Sequence, residues 1–170
     1  VVEFFYGEPE RRFVEMAHAG GALASWQIGS REEAIAAARA GCDFVIAQGV
    51  EAGGHVRGTI PALTLLSEVI KAVDVPVLAA GGIGTGRAMA AALAAAADGV
   101  RLGTRFVAAT EAGAHPEYVS ALIAAEQQDT EYTKAFSVGW PNAPHRVLRS
   151  CIAAAEAFQG DAVGERIGLD

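Results

Sequence analysis

Residues Asp43 to Gly58 read D-F-V-I-A-Q-G-V-E-A-G-G-H-V-R-G. Phe44 to Ala47 is an apolar run with the length and composition of a fully buried strand. Gln48 stands where that run ends. Gly49, Gly53, Gly54 and Gly58 then break the chain into a turn that carries His55. An amide that donates and accepts, several backbone N–H groups with no side chain to shield them, and one imidazole thus share a short segment. A turn alone does not require that combination, and the segment reads as the wall of a cofactor site.

The pattern repeats on both sides of this stretch. Val1 to Phe5 reads as a strand, Pro9 to Ala19 as a helix with Phe13, Met16 and Ala17 on one face, and Ala22 to Gln27 as a second strand. Ser30 to Glu33, S-R-E-E, is a capping-box pattern that starts a helix running to Ala40. Beyond the glycine loop, Pro61 opens a helix whose apolar face is Leu63, Leu66, Val69 and Ile70. Pro76 to Ala80 is a fourth strand, ending in Gly81, Gly82, Gly84 and Gly86. A nearly all-alanine helix, Thr85 to Ala97, leads to a fifth strand, Gly99 to Leu102, followed by Gly103 and Thr104. From Pro116 the sequence predicts a helix, an irregular segment near Lys134 to Pro144, and a last helix from Pro144 to Phe158. The polar stretch 160–170 is expected to be a mobile tail. Five apolar strands alternating with helices are the signature of βαβ units and a parallel sheet, here in a single domain spanning 1–170.

The 170 residues, 52% of them hydrophobic, suffice for one domain with a proper core. A net charge of −7 without basic runs argues against nucleic acid or an anionic membrane surface as partner. The alanine-rich run Ala88 to Ala97 is too short to span a bilayer, and the N-terminus has no signal-like core. Two cysteines, Cys42 and Cys151, make no disulfide framework and suit a reducing cytoplasm. Both are expected to be buried thiols.

Three strand ends carry polar or glycine-rich sequence: Gln48 to His55, Gly81 to Gly84, and Leu102 to Thr104. Parallel α/β folds gather all strand C-termini at one face and build their sites there. Neighbouring ends reading A-A-G-G-I and R-L-G-T would set two groups of free backbone N–H side by side, which suits an anionic phosphate. Gly82 and Gly103 are the candidates for that contact, whereas Gly84 and Gly86 read as turn formers. Gln48 serves either as a strand-end cap or as a ligand contact. His55, among glycines with nothing to pack on, is the candidate reactive group. His18 and His115 read as structural or solvated, His145 as a surface residue at a helix start, and Glu51 as solvated or loop-bracing. Trp140 lines a pocket or fills the core. No metal-ligand spacing is present, and G-x-G-x-x-G is absent. Phosphate sites in β/α barrels commonly follow the seventh and eighth strands. On that register the chain supplies strands 4–8 of a TIM-type barrel and lacks the first three β/α units.

V-E-F-F-Y-G-E-P, A-Q-G-V-E-A-G-G-H, P-V-L-A-A-G-G-I and D-G-V-R-L-G-T-R-F, in that order, resemble the nitronate monooxygenase family, also called 2-nitropropane dioxygenases, which are FMN-dependent β/α-barrel flavoproteins. The resemblance covers nearly all of residues 1 to 150. It implies a flavin oxidoreductase that oxidises alkyl nitronates or nitroalkanes with O2 to a carbonyl compound and nitrite. It also implies site residues: His55 as the catalytic histidine, and Gln48, Gly53, Gly82, Arg101, Leu102, Gly103 and Thr104 as FMN contacts. Arg101 stands where the family often has glutamine. Family members begin with three further β/α units, so a second chain or an N-terminal half would complete the barrel. The similar FMN-dependent, NAD(P)H-using enoyl reductases share the E-x-G-G-H loop but often carry glutamate where this chain has Gln48, and an inactive fragment is a third alternative.

Overall fold

The computed structural model describes residues 1–136 and 143–159. Five strands, β1 (Val2–Phe4), β2 (Ala24–Ile28), β3 (Phe44–Gln48), β5 (Val77–Ala80) and β6 (Gly99–Arg101), form one parallel sheet in chain order. The helices α1 (Arg11–Ala19), α2 (Arg31–Ala40), α3 (Ala62–Val69) and α4 (Gly86–Ala94) connect them in turn. Each crossover leads to the adjacent strand and the order never reverses, which is the winding of a β/α barrel and not of a doubly wound sheet.

The register assigns every strand residue to one of two faces. Phe4, Trp26, Val45, Val77 and their cross-strand neighbours Ile28, Ala47, Ala79 and Val100 share one face. They pack with α1, α2 and α3 into the core, where Val14, Ala34, Ala37, Leu65, Leu66 and Val69 are at most 1% exposed. Each of the valines and leucines contributes about 1.5–3 kcal/mol of burial. Small alanines let α2 lie close to the sheet. The opposite face carries Glu3, Ser25, Gln27, Ile46, Gln48, Leu78, Ala80 and Arg101. Two aspartates fix strand starts in the same way. Asp43 accepts from the Ala24 N–H at 2.7 Å while its own N–H donates to Ala24 O, and Asp98 does the same with Val77.

Several expectations shift. Met16 points outward from α1, and Val14 takes its place in the core. On α3, Leu63 is exposed and Leu65 is buried instead. Ser30 caps α2 through the Glu33 N–H, but the Glu33 carboxylate reaches back to the Gly29 N–H, one residue beyond a true capping box. The largest difference lies near the C-terminus. Residues 145–148 form a strand, not the start of a helix. A second, antiparallel sheet runs β4 (Gly54–His55), β8 (His145–Leu148), β7 (Thr130–Thr133). Three short strands therefore add to the five expected. The last helix, α7, begins only at Arg149 and ends at Ala157. The β-branched Thr130, Thr133 and Val147 suit strands, and β8 is buried at its two ends, His145 and Leu148, and half-buried between them. α5 (Thr104–Val107) follows β6, and α6 (Pro116–Ala124) is capped by His115, whose Nδ1 accepts from the Glu117 N–H. Trp140 and residues 160–170 lie outside the described residues.

Candidate active site

All three expected strand ends lie at one end of the parallel sheet, and their loops touch. Gly81, at φ +99°, lies so close to the glycine loop that a Cβ there would stand 3.0 Å from Gly49 O and 3.2 Å from Ala52 N. A Cβ on Gly53 would collide with the Thr104 hydroxyl. The Gly49–Gly58 loop is thus wedged against both the turn after β5 and the first residue of α5. Gly58 has a different reason to be glycine: it crosses Gly29 backbone to backbone, and a Cβ on Gly29 would meet Gly58 N at 2.6 Å.

Polar side chains hold this loop from beneath. Gln48 is only 4% exposed. Its Nε2 donates to His55 O at 2.9 Å and its Oε1 accepts from the Arg57 N–H at 2.8 Å. Of its two expected tasks, the described bonds perform the strand-end brace. Glu51 braces too, accepting from the Ala62 N–H at the start of α3. Arg57 was not singled out from the sequence, yet it ties three segments together. Its guanidinium donates to Phe5 O and to Gly7 O at 2.7 Å, and its Nε pairs with Glu33 at 3.1 Å. Arg146 on β8 performs the matching task from the far end of the chain. Its Nε and Nη2 both donate to Val50 O, at 3.1 and 3.0 Å. A sequence separation of 96 residues leaves no local signal for that bond.

His55 does not stand alone among glycines, as expected. It forms β4, paired with β8 in a register that sets His55 opposite His145. Its ring lies 5.8 Å from the rings of both Tyr6 and His145 and 6.3 Å from Phe5, all edge-on. Tyr6 holds its phenolic proton more tightly than usual because of burial. His145, expected at the surface, is 4% exposed. His55 itself remains exposed at the open side of the loop.

The other expected contacts divide into two groups. Gly82 (φ +69°), Gly103 and Thr104 line the rim where the turns after β5 and β6 meet solvent, and Leu102 is half-buried just behind them. A Cβ on Gly103 would meet no atom, and one on Gly82 only Glu51 Cβ at 3.5 Å. Crowding within the chain therefore does not explain the glycine at 103. Arg101 is placed differently. It lies on the inward face of β6, and its Nη2 pairs with Glu3 of β1 at 2.8 Å. That bond links the two outermost strands of the sheet and shows how strongly the sheet curls. Ser25 Oγ and Gln27 Oε1 on the same face are buried without a partner among the described residues. A hollow of about 240 Å³ bounded by Ile70, Asp74, Pro76 and Asp98 opens at the other end of β5, away from these loops. No described helix is long and apolar enough to cross a membrane.

Comparison with known proteins gives this geometry a family. A protein of Staphylococcus aureus (strain Newman) named "Probable nitronate monooxygenase" is 35% identical over 144 residues, 79% of this chain and 40% of that protein. The solved structure of nitroalkane oxidase from Streptomyces ansochromogenes superimposes with a TM-score of 0.77 at 41% identity, over 86% of this chain and 44% of that one. FabK from Thermotoga maritima gives 0.78 at 40% identity, over 87% and 46%. The chain spans less than half the length of these relatives and forms part of their β/α barrel. The family model for nitronate monooxygenase matches residues 1–164. The chain belongs to the nitronate monooxygenase family.

Proposed function

We propose that this chain supplies the phosphate-binding and histidine-bearing part of an FMN-dependent enzyme that oxidises alkyl nitronates or nitroalkanes with O2, giving a carbonyl compound and nitrite. The observation that carries the proposal is the contact between Gly53 and Thr104, which brings the His55 loop against the open glycine rim. The rim fits an FMN phosphate: Gly82 and Gly103 leave a cradle open to solvent, with no side chain to shield the backbone N–H groups there. In this arrangement Gly82, Gly103, Thr104 and the Leu102 backbone hold the phosphate, and Gly53 lies along the cofactor. Gln48 acts through the loop it braces, and Arg101 adds a cation whose charge Glu3 balances. FMN, when bound, supplies the electron transfer.

The chain's own residues handle the proton and the substrate. His55 in its neutral form accepts the proton from the carbon next to a nitro group. In its cationic form it pairs with a nitronate that arrives already deprotonated. Phe5 and Tyr6 wall its flank with apolar surface and limit water there. Burial raises the Tyr6 pKa, so the Tyr6 hydroxyl keeps its proton at neutral pH.

Two measurements test this. The full-length protein should consume O2 when given an alkyl nitronate, and His55→Ala should lower kcat by about 10²–10⁴ for a neutral nitroalkane while FMN stays bound. Unchanged turnover with retained flavin would remove His55 from the chemistry. The likeness to FabK favours a second possibility, an NAD(P)H-dependent enoyl reductase on the same site. Rapid NAD(P)H oxidation that needs an enoyl thioester, with no nitronate-dependent O2 uptake, would select it.

A further inference from the structure

We infer that His145 is a positioning residue for His55, locked as a neutral imidazole whose hydrogen is on Nδ1. The inference rests on His55 being the reactive group of the proposed function. Two bonds fix the His145 ring. Its Nδ1 lies 3.0 Å from Ala143 O, a group that only accepts, so Nδ1 carries the hydrogen. Its Nε2 lies 3.3 Å from the Phe136 N–H, a group that only donates, so Nε2 presents a lone pair. One tautomer satisfies both partners, and a second proton would displace the Phe136 N–H.

That ring is then built into the wall behind His55. His145 is buried, its backbone is paired in register with His55, and the neighbouring Val56 N–H donates to Pro144 O at 2.9 Å. The Phe136 ring covers its other side at 5.6 Å. His55 therefore meets a fixed, uncharged ring edge on one side and the Phe5 and Tyr6 rings on the other. The pairing puts two imidazoles side by side but leaves one of them, His55, to exchange protons with substrate. The rings of His145, Phe5 and Tyr6 bound the space in which the His55 ring sits. A small displacement of a reacting group costs rate more than binding.

The test uses the full-length enzyme with bound FMN. Ring-nitrogen NMR of the unsubstituted protein, labelled with ¹⁵N-histidine and held at pH 8, reads the tautomer directly. The expected result is a protonated Nδ1 and an unprotonated Nε2 for His145. The opposite tautomer, or a rapidly averaging mixture, would overturn the inference, and no variant has to fold for that result. His145→Leu removes both bonds, whereas His145→Gln keeps an acceptor that can reach the Phe136 N–H. Leucine should lower kcat by about tenfold or more with KM changed by less than about twofold, and glutamine should recover most of that loss. A leucine variant that folds and retains the wild-type kcat would refute the positioning role. If His55→Ala also leaves turnover unchanged, the proposed function fails first; if only the His145 variants are silent, the positioning role alone is lost.

Discussion

Replacing Arg57 by Met would remove one guanidinium and leave three acceptors to find other partners. The side chain is 10% exposed and Glu33 25%. Hydrogen bonds involving a charged group contribute about 1.5–3 kcal/mol each, and breaking one side of a fully buried pair costs about 3–5 kcal/mol. Both figures need discounting. Gly7 lies in an exposed turn where water can replace the guanidinium, and Glu33 keeps its bond to the Gly29 N–H. Phe5 O is the acceptor with least access to an alternative. A net loss of about 2–4 kcal/mol follows, and at about 2–4 °C per kcal/mol for a chain of this size the midpoint falls by about 5–15 °C. Methionine keeps the aliphatic stem, so packing stays nearly constant. Thermal and urea unfolding of the purified protein measure the loss. Arg57→Lys should recover less than half of it, because one ammonium cannot reach Glu33, Phe5 O and Gly7 O together. A cycle with Glu33→Gln should show coupling of about 1 kcal/mol. A methionine variant within about 0.5 kcal/mol of wild type would mean that the three bonds do not hold the Phe5–Gly7 turn against the loop.

Other consequences can be checked independently. Gln48→Glu turns the donor that faces His55 O into a second acceptor. Stability should fall by about 1–3 kcal/mol at neutral pH, with part of it regained as acid protonates the new carboxyl; urea melts at pH 5 and pH 8 measure it. The Ala24 N–H, and then His18, hold the Asp43 carboxyl below its ordinary pKa. A depressed folded value contributes stability that is present above the unfolded pKa of about 3.9 and lost as pH falls through the folded one. The stability gap between wild type and Asp43→Asn should therefore be widest near neutrality and close in acid. Burial, and then Asp43, raise the Cys42 thiol to about 11. A thiol reagent at pH 8 should modify the half-buried Cys151 first and reach Cys42 only on unfolding.

The parallel sheet was legible because its strands are short, largely apolar segments followed within a few residues by glycine, and each helix between them has a start or stop signal of its own. Ser30, Gly41 and Thr85 mark their boundaries where the periodicity places them. The second sheet was not legible. Thr130–Thr133 and His145–Leu148 are short and show no regular alternation of polar and apolar residues, and the pairing of Gly54–His55 with Arg146–His145 joins segments far apart in sequence. No window of fifteen residues contains that information. The same limit explains the histidines. His115 next to Pro116 reads as a cap and is one. His145 next to Arg146 reads as a surface residue at a helix start, but it is buried against Phe136 and His55, which the sequence does not place beside it.

The site residues also show why residue type alone did not fix a role. Gln48, Glu51, Arg57 and Arg146 all have the chemistry of ligand contacts, yet Gln48 and Arg146 bond to the backbone of the Gly49–Gly58 loop, and Glu51 and Arg57 tie that loop to the backbone of α3 and of the Phe5–Gly7 turn. A glycine-rich loop loses more conformational entropy on ordering than any other. It needs such bonds if it is to hold a fixed shape before a ligand arrives. These bonds anchor the Gly49–Gly58 loop to β3, α3, β8 and the Phe5–Gly7 turn. A test follows from the two arginines, which hold opposite sides of one loop. Single losses of Arg57 or Arg146 should each leave the loop anchored from the other side, by Val50 O or by Phe5 and Gly7. The double variant should lose more than the sum of the two, by about 0.5–1 kcal/mol or more. Hydrogen exchange at Val50, Gly54 and Val56 would localise that loss. Strict additivity, with exchange at these amides unchanged, would mean that each arginine stabilises its own element and that something else shapes the loop.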